Sequence, residues 1–199
     1  QVGNRAIGDR FAQIAGVDAQ AAAAALYLLS ACTPMVFMGE EWAATSPFPF
    51  FSDLGPDLGP SVTRGRAREF RAMGWTLPTP DPQAEATGDS ARLDWAELGR
   101  GTHAELLGWY RAPIGLRRGH PELRAPVLAG VAVDIVDEDT VSMHRGPFRV
   151  VATRASSCVV RFEHPVEVLA SWGRFEWNGP DLHVGGPGAA VIKLLEPPP

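Results

Sequence analysis

Pro34-Met35-Val36-Phe37-Met38-Gly39-Glu40-Glu41-Trp42 is the stretch that decides how this chain reads. An apolar run ends abruptly in a glycine, two carboxylates and an indole. The run predicts a short buried strand, Val36 to Met38, and the glycine lets the backbone turn out of it. Polar and aromatic groups are then delivered at the strand's C-terminal mouth, where parallel α/β folds place their chemistry. The bland alternative is a buried strand followed by a solvated Glu-Glu turn. If strand geometry persists through the pair, Glu40 and Glu41 point to opposite faces and cannot both serve one proton-transfer site.

On the N-terminal side, Gln1 to Ala6 reads as a polar loop, and Arg5 to Ala15 holds one short helix. Asp18 is placed as the N-cap of a helix running to about Ala31, built almost wholly of Ala and Leu. Such a helix must be covered on most sides. Helix, tight Thr33-Pro34 junction and strand together make the half-unit of a parallel βα array.

On the C-terminal side, Gly39 to Pro60 is a long loop carrying Trp42, Phe48, Phe50 and Phe51, and long loops in compact domains are usually functional. Ser61 is read as the cap of a helix through about Met73, with Arg64, Arg66, Arg68 and Arg71 mostly facing solvent. Leu77 to Gly101 is a second loop. Thr102-His103-Ala104-Glu105 has the form of a capping box and opens a helix containing Trp109 and Tyr110. Pro113 inside that helix predicts a kink, and His120-Pro121 reads as its stop.

Beyond Val127 the helical period disappears. Seven β-rich runs follow: 131–136, 140–144, 148–153, 158–162, 166–172, 181–184 and 189–195. Arg145-Gly146-Pro147 and Asn178-Gly179 are turn signals between them. This pattern predicts a β-sandwich with its boundary near 124–129, hence domains over 1–124 and 125–199. Trp172 and Trp177 are assigned to core or inter-domain packing rather than to a sugar-binding face. The three prolines at 197–199 read as a disordered tail.

The totals narrow the function classes. The 199 residues carry a net charge of -5, which gives no electrostatic case for nucleic acid or an anionic membrane as partner. Cys32 and Cys158 form no CxxC and no framework, so free buried thiols in a reducing compartment are expected. The five histidines show no metal-ligand spacing. The longest apolar run, Ala19 to Cys32, is too short and too Ala-rich to span a membrane. With no signal peptide visible, a cytoplasmic location is expected. A first residue that is Gln rather than Met reads as a start produced by cleavage or truncation.

Several stretches then fall into a familiar order. They are Gln1-Val2-Gly3-Asn4-Arg5-Ala6, Phe37-Met38-Gly39-Glu40-Glu41-Trp42, Ser46-Pro47-Phe48-Pro49-Phe50-Phe51-Ser52-Asp53, Arg68-Glu69-Phe70 with Gly74-Trp75, Ser90 to Trp95, Trp109-Tyr110-Arg111, Leu116-Arg117-Arg118 and His120-Pro121-Glu122-Leu123. This series resembles the C-terminal part of the maltooligosyltrehalose trehalohydrolase family, within the α-amylase superfamily of glycoside hydrolases. The match is close over about the first two-thirds and loose over the β-rich remainder.

The resemblance implies an α/β fold: the C-terminal part of a (β/α)8 TIM barrel followed by an all-β sandwich. Met35 to Met38 would be the eighth barrel strand, with the Ala-rich helix seventh and the capping-box helix eighth. It further implies hydrolysis, by the intact enzyme, of the α-1,4 bond next to the terminal trehalose of maltooligosyl trehalose, with retention and without metal or organic cofactor. A glucan branching enzyme of the same superfamily is the rival. A non-catalytic carbohydrate-associated module is the rival from another class.

The three catalytic carboxylates of that superfamily would all lie outside residues 1–199, so no catalytic residue is expected here and the chain alone is expected to be inactive. The substrate-facing candidates are Gln1, Val2, Gly3, Asn4, Glu40, Glu41, Trp42, Phe48 and Asp53. Gln1 and Asn4 offer amides to sugar hydroxyls, and Trp42 and Phe48 either stack on glucose faces or plug the loop onto the rim. Expected partners are the α-1,4-glucan substrate and the remaining N-terminal part of the barrel. A lone barrel strand with two open edges, beside a helix short of cover, predicts that residues 1–124 need that remainder to be stable.

Overall fold

The computed structural model describes residues 3–76 and 78–195. Gln1, Val2 and the 197–199 proline run lie outside the described residues.

Among the described residues six α-helices precede the sheets: α1 (Phe11–Ala15), α2 (Val17–Leu29), α3 (Gly59–Ala72), α4 (Glu85–Ser90), α5 (Gly101–Gly119) and α6 (Pro121–Arg124). Eight strands follow: β1 (Val131–Asp137), β2 (Thr140–Arg145), β3 (Phe148–Thr153), β4 (Ser157–Arg161), β5 (Val166–Trp172), β6 (Phe175–Asn178), β7 (Asp181–Gly185) and β8 (Gly188–Leu194). All pairings among them are antiparallel. The strands form a five-stranded sheet in the order β1-β2-β3-β8-β5 and a three-stranded sheet in the order β4-β7-β6.

The central strands β3 and β8 of the five-stranded sheet are buried on both faces, and strand alternation decides which side chain goes where. Phe148, Val150, Ala152, Ala189 and Val191 face the helices and join Ala21, Ala25, Leu28, Leu29, Leu106, Trp109 and Tyr110 in one core. Their neighbours Val151, Ala190 and Ile192 turn the other way and meet Cys158, Leu182 and Val184 of the smaller sheet in a second core. Trp172 of β5 closes the join: its indole donates to Asp18 Oδ1 at 2.8 Å and lies 6.2 Å from the Trp109 ring.

Several expectations change. Val36 to Met38 is not a strand: a strand is defined by its ladder, and no described segment pairs with it, leaving Met35 91% exposed. The Ala-rich helix does not lack cover. Ala21, Ala24 and Ala25 are fully buried because α5 and the five-stranded sheet enclose α2, not a further barrel layer. Asp18 is not the N-cap of α2; Gly16 is, and Asp18 sits inside the first turn where it serves Trp172.

The α3 helix starts at Gly59 with Pro60 in its first turn, ahead of Ser61. Arg100 rather than Thr102 flanks α5, so the predicted capping box lies one step inside the helix. Arg66 does not face solvent; its side chain is only 17% exposed. Cys32 is exposed while Cys158 is buried. The strand β6 was missed altogether, being short and abutting the Asn178-Gly179 turn. Among the described residues no helix is long and apolar enough to cross a membrane.

The five-stranded sheet and the helices are stapled by one cation that sequence reasoning passed over as a turn residue. Arg145, at the end of β2, is 3% exposed. Its guanidinium donates to the carbonyls of Leu29, Ser30, Glu122, Leu123 and Ala125. These are carbonyls at the C-terminal ends of α2 and α6, which lack intrahelical donors and carry the negative end of each helix dipole. Arg117 adds bonds to the carbonyls of Leu28, Ser30 and Cys32.

Candidate functional site

The described sequence-selected residues lie on two segments, the N-terminal loop 3–10 and the stretch 37–54, and residues 81–97 back the second. Two glycines set the geometry. Gly39 has φ +82°, and a Cβ there would fall 2.7 Å from Leu93 Cδ2 and 2.8 Å from Ala44 Cβ. The chain therefore turns sharply at Gly39 into a short 3₁₀ turn, Glu40–Trp42. Gly8, at φ +74°, passes so close to the other loop that a Cβ would lie 2.1 Å from Pro49 N. Its carbonyl accepts from the Phe48 amide at 2.7 Å.

In the 3₁₀ turn, as in the strand expected there, the two carboxylates part ways. Glu40 turns inward, where its Oε1 accepts from Tyr27 at 2.5 Å and from Tyr110 at 3.0 Å, and its Oε2 accepts from the Phe37 amide at 3.2 Å. Gln20 Nε2 donates to the Glu40 carbonyl. Burial, with Glu40 alongside, pushes both phenols above their ordinary value. Glu40 thus holds the turn from beneath. Glu41 instead has an enclosed Oε2 without a hydrogen-bond partner among the described residues.

Arg10 is the electrostatic centre of the rim. It is 4% exposed and donates through Nη1 to the Met38 carbonyl at 2.8 Å and through Nε to the Ser46 carbonyl at 2.5 Å. Burial lowers its pKa, opposed by the charges of Glu97, Glu41 and Glu40. Its Nη2, together with Asp9 Oδ1, Ser46 Oγ and Arg66 Nε, is enclosed and unpartnered among the described residues. Such groups are costly unless something satisfies them, and the charge of Glu41 acts on Arg10 among them.

Trp42 lies in the interior rather than on the rim surface. It is 2% exposed, and its Nε1 donates to Glu97 Oε2 at 3.1 Å. Glu97 also accepts from the Thr45 amide at 3.2 Å and from its hydroxyl. Burial alone would raise the Glu97 pKa, but the bonds from Thr45 and Trp42 and the charge of His103 outweigh it and hold the group below the usual carboxylate range. A depressed folded-state pKa adds stability above the unfolded value that is lost as pH falls through the folded one. Replacing Glu97 with Gln is therefore expected to cost about 1–3 kcal/mol at pH 7. That gap should narrow in acid; urea titrations of both proteins across pH 3–7 check it.

Phe48 packs edge-on against Phe37 at 4.9 Å and Phe51 at 5.6 Å, with Gly3 against its ring. Gly3 and Phe48 are thus brought together, although 45 positions separate them in the sequence. Asn4 is exposed. Phe50 and Phe51 are 37% and 42% exposed, and the Arg66 guanidinium lies over Phe50 at 4.8 Å.

Asp53 is exposed, and Gln83 fixes the backbone on both sides of it. Gln83 Nε2 donates to Ser52 Oγ at 2.8 Å, and its Oε1 accepts from the Leu54 amide at 3.0 Å. A cavity of about 520 Å³ containing Thr63, Arg64 and Asp81 lies on one side, and one of about 710 Å³ containing Phe51, Glu85 and Arg92 on the other; Asp53 and Gln83 line both. Sequence reasoning missed Arg10, within the stretch read as a short helix, and Glu97 and Gln83, within the stretch 77–101 read as a loop. Among the described residues no cluster of three or more His, Cys, Asp or Glu is placed to hold a metal ion.

Comparison with known proteins puts this geometry in context. No protein-family model matches the chain. A solved structure described as a putative alpha amylase from Salmonella typhimurium superposes with a TM-score of 0.80 at 28% identity, covering 97% of this chain and 33% of that one. The catalytic module of the glycogen-degrading pneumococcal virulence factor SpuA shares the fold alone, with a TM-score of 0.62 at 13% identity over 96% of this chain and 33% of that one. By fold, then, the chain matches part of an α-amylase-type structure, helical in its first part and ending in an antiparallel β domain.

In sequence it is 44% identical over 200 residues to the malto-oligosyltrehalose trehalohydrolase of Arthrobacter ramosus, covering 98% of this chain and 33% of the relative. It is 38% identical over 204 residues to that of Mycobacterium tuberculosis, covering 99% of this chain and 34% of the relative. A Rhizobium relative of the same name is 48% identical over 140 residues, covering 69% of this chain and 24% of the relative. The chain is a homologue of the malto-oligosyltrehalose trehalohydrolases and spans about a third of the length of these first two relatives.

Proposed function

We propose that the chain is the C-terminal portion of a cytoplasmic trehalohydrolase. The intact enzyme would hydrolyse the α-1,4-glucosidic bond adjacent to the terminal trehalose of maltooligosyl trehalose and release trehalose. The observation that carries this reading is the match of nearly the whole chain to relatives of that name. The reaction is a retaining one, with a carboxylate nucleophile and a carboxylic acid roughly 5 Å apart across the scissile bond. Both, and the carboxylate that stabilises the transition state, would come from the preceding part of the barrel.

In this reading residues 1–199 supply the rim and the buttress. Gln1, Val2, Gly3, Asn4 and Phe48 border the sugar, Asp53 meets hydroxyls from its Gln83-fixed loop, and Glu41 faces the edge that the rest of the barrel completes. Trp42 and Glu40 act from below by holding the turn in place. The enclosed, unpartnered atoms at Asp9, Arg10, Glu41 and Ser46 support this, since the completed barrel would bring partners to that edge. The test is trehalose release from maltooligosyl trehalose by the full-length protein, beside branching activity on amylose. Trehalose release without branching is expected; branching without trehalose release would assign the protein to the rival transferase class.

A further inference from the structure

The edge strand of the smaller sheet carries two aromatic residues that the stacking of the sheets does not enclose. Phe175 and Trp177 stand opposite Val184 and Leu182 in the β6–β7 register. Those partners are 1% and 0% exposed in the inter-sheet core, whereas Phe175 and Trp177 are each 41% exposed. The packing role expected for Trp177 therefore does not account for it, in contrast to Trp172.

Two hollows meet beside this indole. One, of about 300 Å³, is walled by Trp177, Phe162, His164, Pro165 and Pro180. The Phe162 ring stands 6.0 Å from that of Trp177 at 64°, so the two make an apolar corner. The other, of about 250 Å³, shares Phe162 and His164 and adds Asp134, His144, Arg149, Arg161 and Glu163. His144 Nε2 and Asp134 Oδ2 pair across it at 2.9 Å. An apolar stacking corner thus adjoins a wall of donors and acceptors carrying both signs of charge.

We propose that this corner is an accessory carbohydrate site on the β domain, separate from the rim, that takes a stretch of α-glucan. A pyranose ring has an apolar C–H face to lay on an exposed indole and an edge of hydroxyls to share among His, Arg and carboxylate groups. The mixed wall argues against the obvious competitors. A phosphate would meet Asp134 and Glu163, and an apolar helix would strand at least five polar side chains. The choice of α-glucan among sugars rests on the function proposed above; the site itself does not.

Native gels cast with and without glycogen test it on the intact protein, using wild type, Trp177→Ala and Trp177→Phe. Glycogen is expected to retard the wild type. Trp177→Ala should raise the apparent dissociation constant at least about fivefold, with Trp177→Phe in between, as loss of one stacking contact implies. Melting temperature verifies that the variants fold, and hydrolysis of a short maltooligosyl trehalose should not change. An unretarded wild type, or equal retardation of wild type and Trp177→Ala, overturns the proposal. The two readings fail separately: loss of retardation in Trp177→Ala without any trehalose release by wild type would remove the hydrolase assignment and leave the site.

Discussion

Replacing Arg145 with methionine is expected to lower the free energy of unfolding by about 3–5 kcal/mol, among the largest effects open to a single substitution in this chain. Methionine fills much of the same space but donates nothing, so the carbonyls of Leu29, Glu122, Leu123 and Ala125 lose this donor together and that of Ser30 keeps only Arg117. Water has poor access, since Arg145 is 3% exposed. Burial already depresses the guanidinium pKa, with the neighbouring Arg117 charge adding to the effect. The charge is tolerated because two helix ends present their carbonyls to it. For a chain of this size such a loss shifts the melting temperature by roughly 10 °C. Arg145→Lys should recover only part of it, because three donors replace five in a different geometry. Calorimetry on the three proteins settles the matter. A shift for Arg145→Met within the range of ordinary surface substitutions would show that the staple is ornamental.

Gly8→Ala is expected to be the most damaging small change at the rim. The residue sits at φ +74°, and its added methyl would lie 2.1 Å from Pro49 N and 2.3 Å from the Phe48 carbonyl carbon. Both are main-chain atoms, so no side-chain rotation relieves the overlap. Either loop 3–10 or loop 46–49 has to move, breaking the bond from the Phe48 amide to the Gly8 carbonyl and withdrawing Gly3 from the Phe48 ring. The cost of holding the native arrangement exceeds about 4 kcal/mol, so the loops should separate instead. Hydrogen exchange at the Phe48 amide reads this directly, with protection lost there and retained in β3 and β8. If the proposed rim is correct, the same change in the full-length protein should also raise KM, since the loops would separate at the proposed sugar border.

Much of the β domain is legible in the sequence because alternation is local. Seven runs bounded by turn residues fall within a residue or so of strand boundaries, and the sides they choose follow from period two alone. The strand β6 escapes because a four-residue segment ending in a turn signal carries too little alternation. The segment 36–38 fails for a different reason: apolar content foretells burial against a partner but not a ladder, and none forms with it among the described residues.

The site was legible where chemistry is local, as in the glycine turn, and opaque where it is long-range. Glu97 sits in a short 3₁₀ turn within a stretch that reads as a polar loop, and only the fold brings it to Trp42, 55 positions away. Arg145 precedes a Gly-Pro turn, and its Ser30 acceptor is 115 positions distant. Trp42 was read as a rim aromatic because an indole after a turn looks exposed until the carboxylate that receives its N–H is known.

The central claim is that these residues shape a sugar-binding rim while the reacting groups belong to the preceding part of the barrel. The direct measurement is trehalose release from maltooligosyl trehalose by residues 1–199 alone, assayed beside the full-length protein under identical conditions. No turnover above buffer from the shorter chain, with robust release by the longer one, is the expected result. Sustained release by residues 1–199 alone, abolished by Glu41→Gln, would place the chemistry within this chain and contradict the claim.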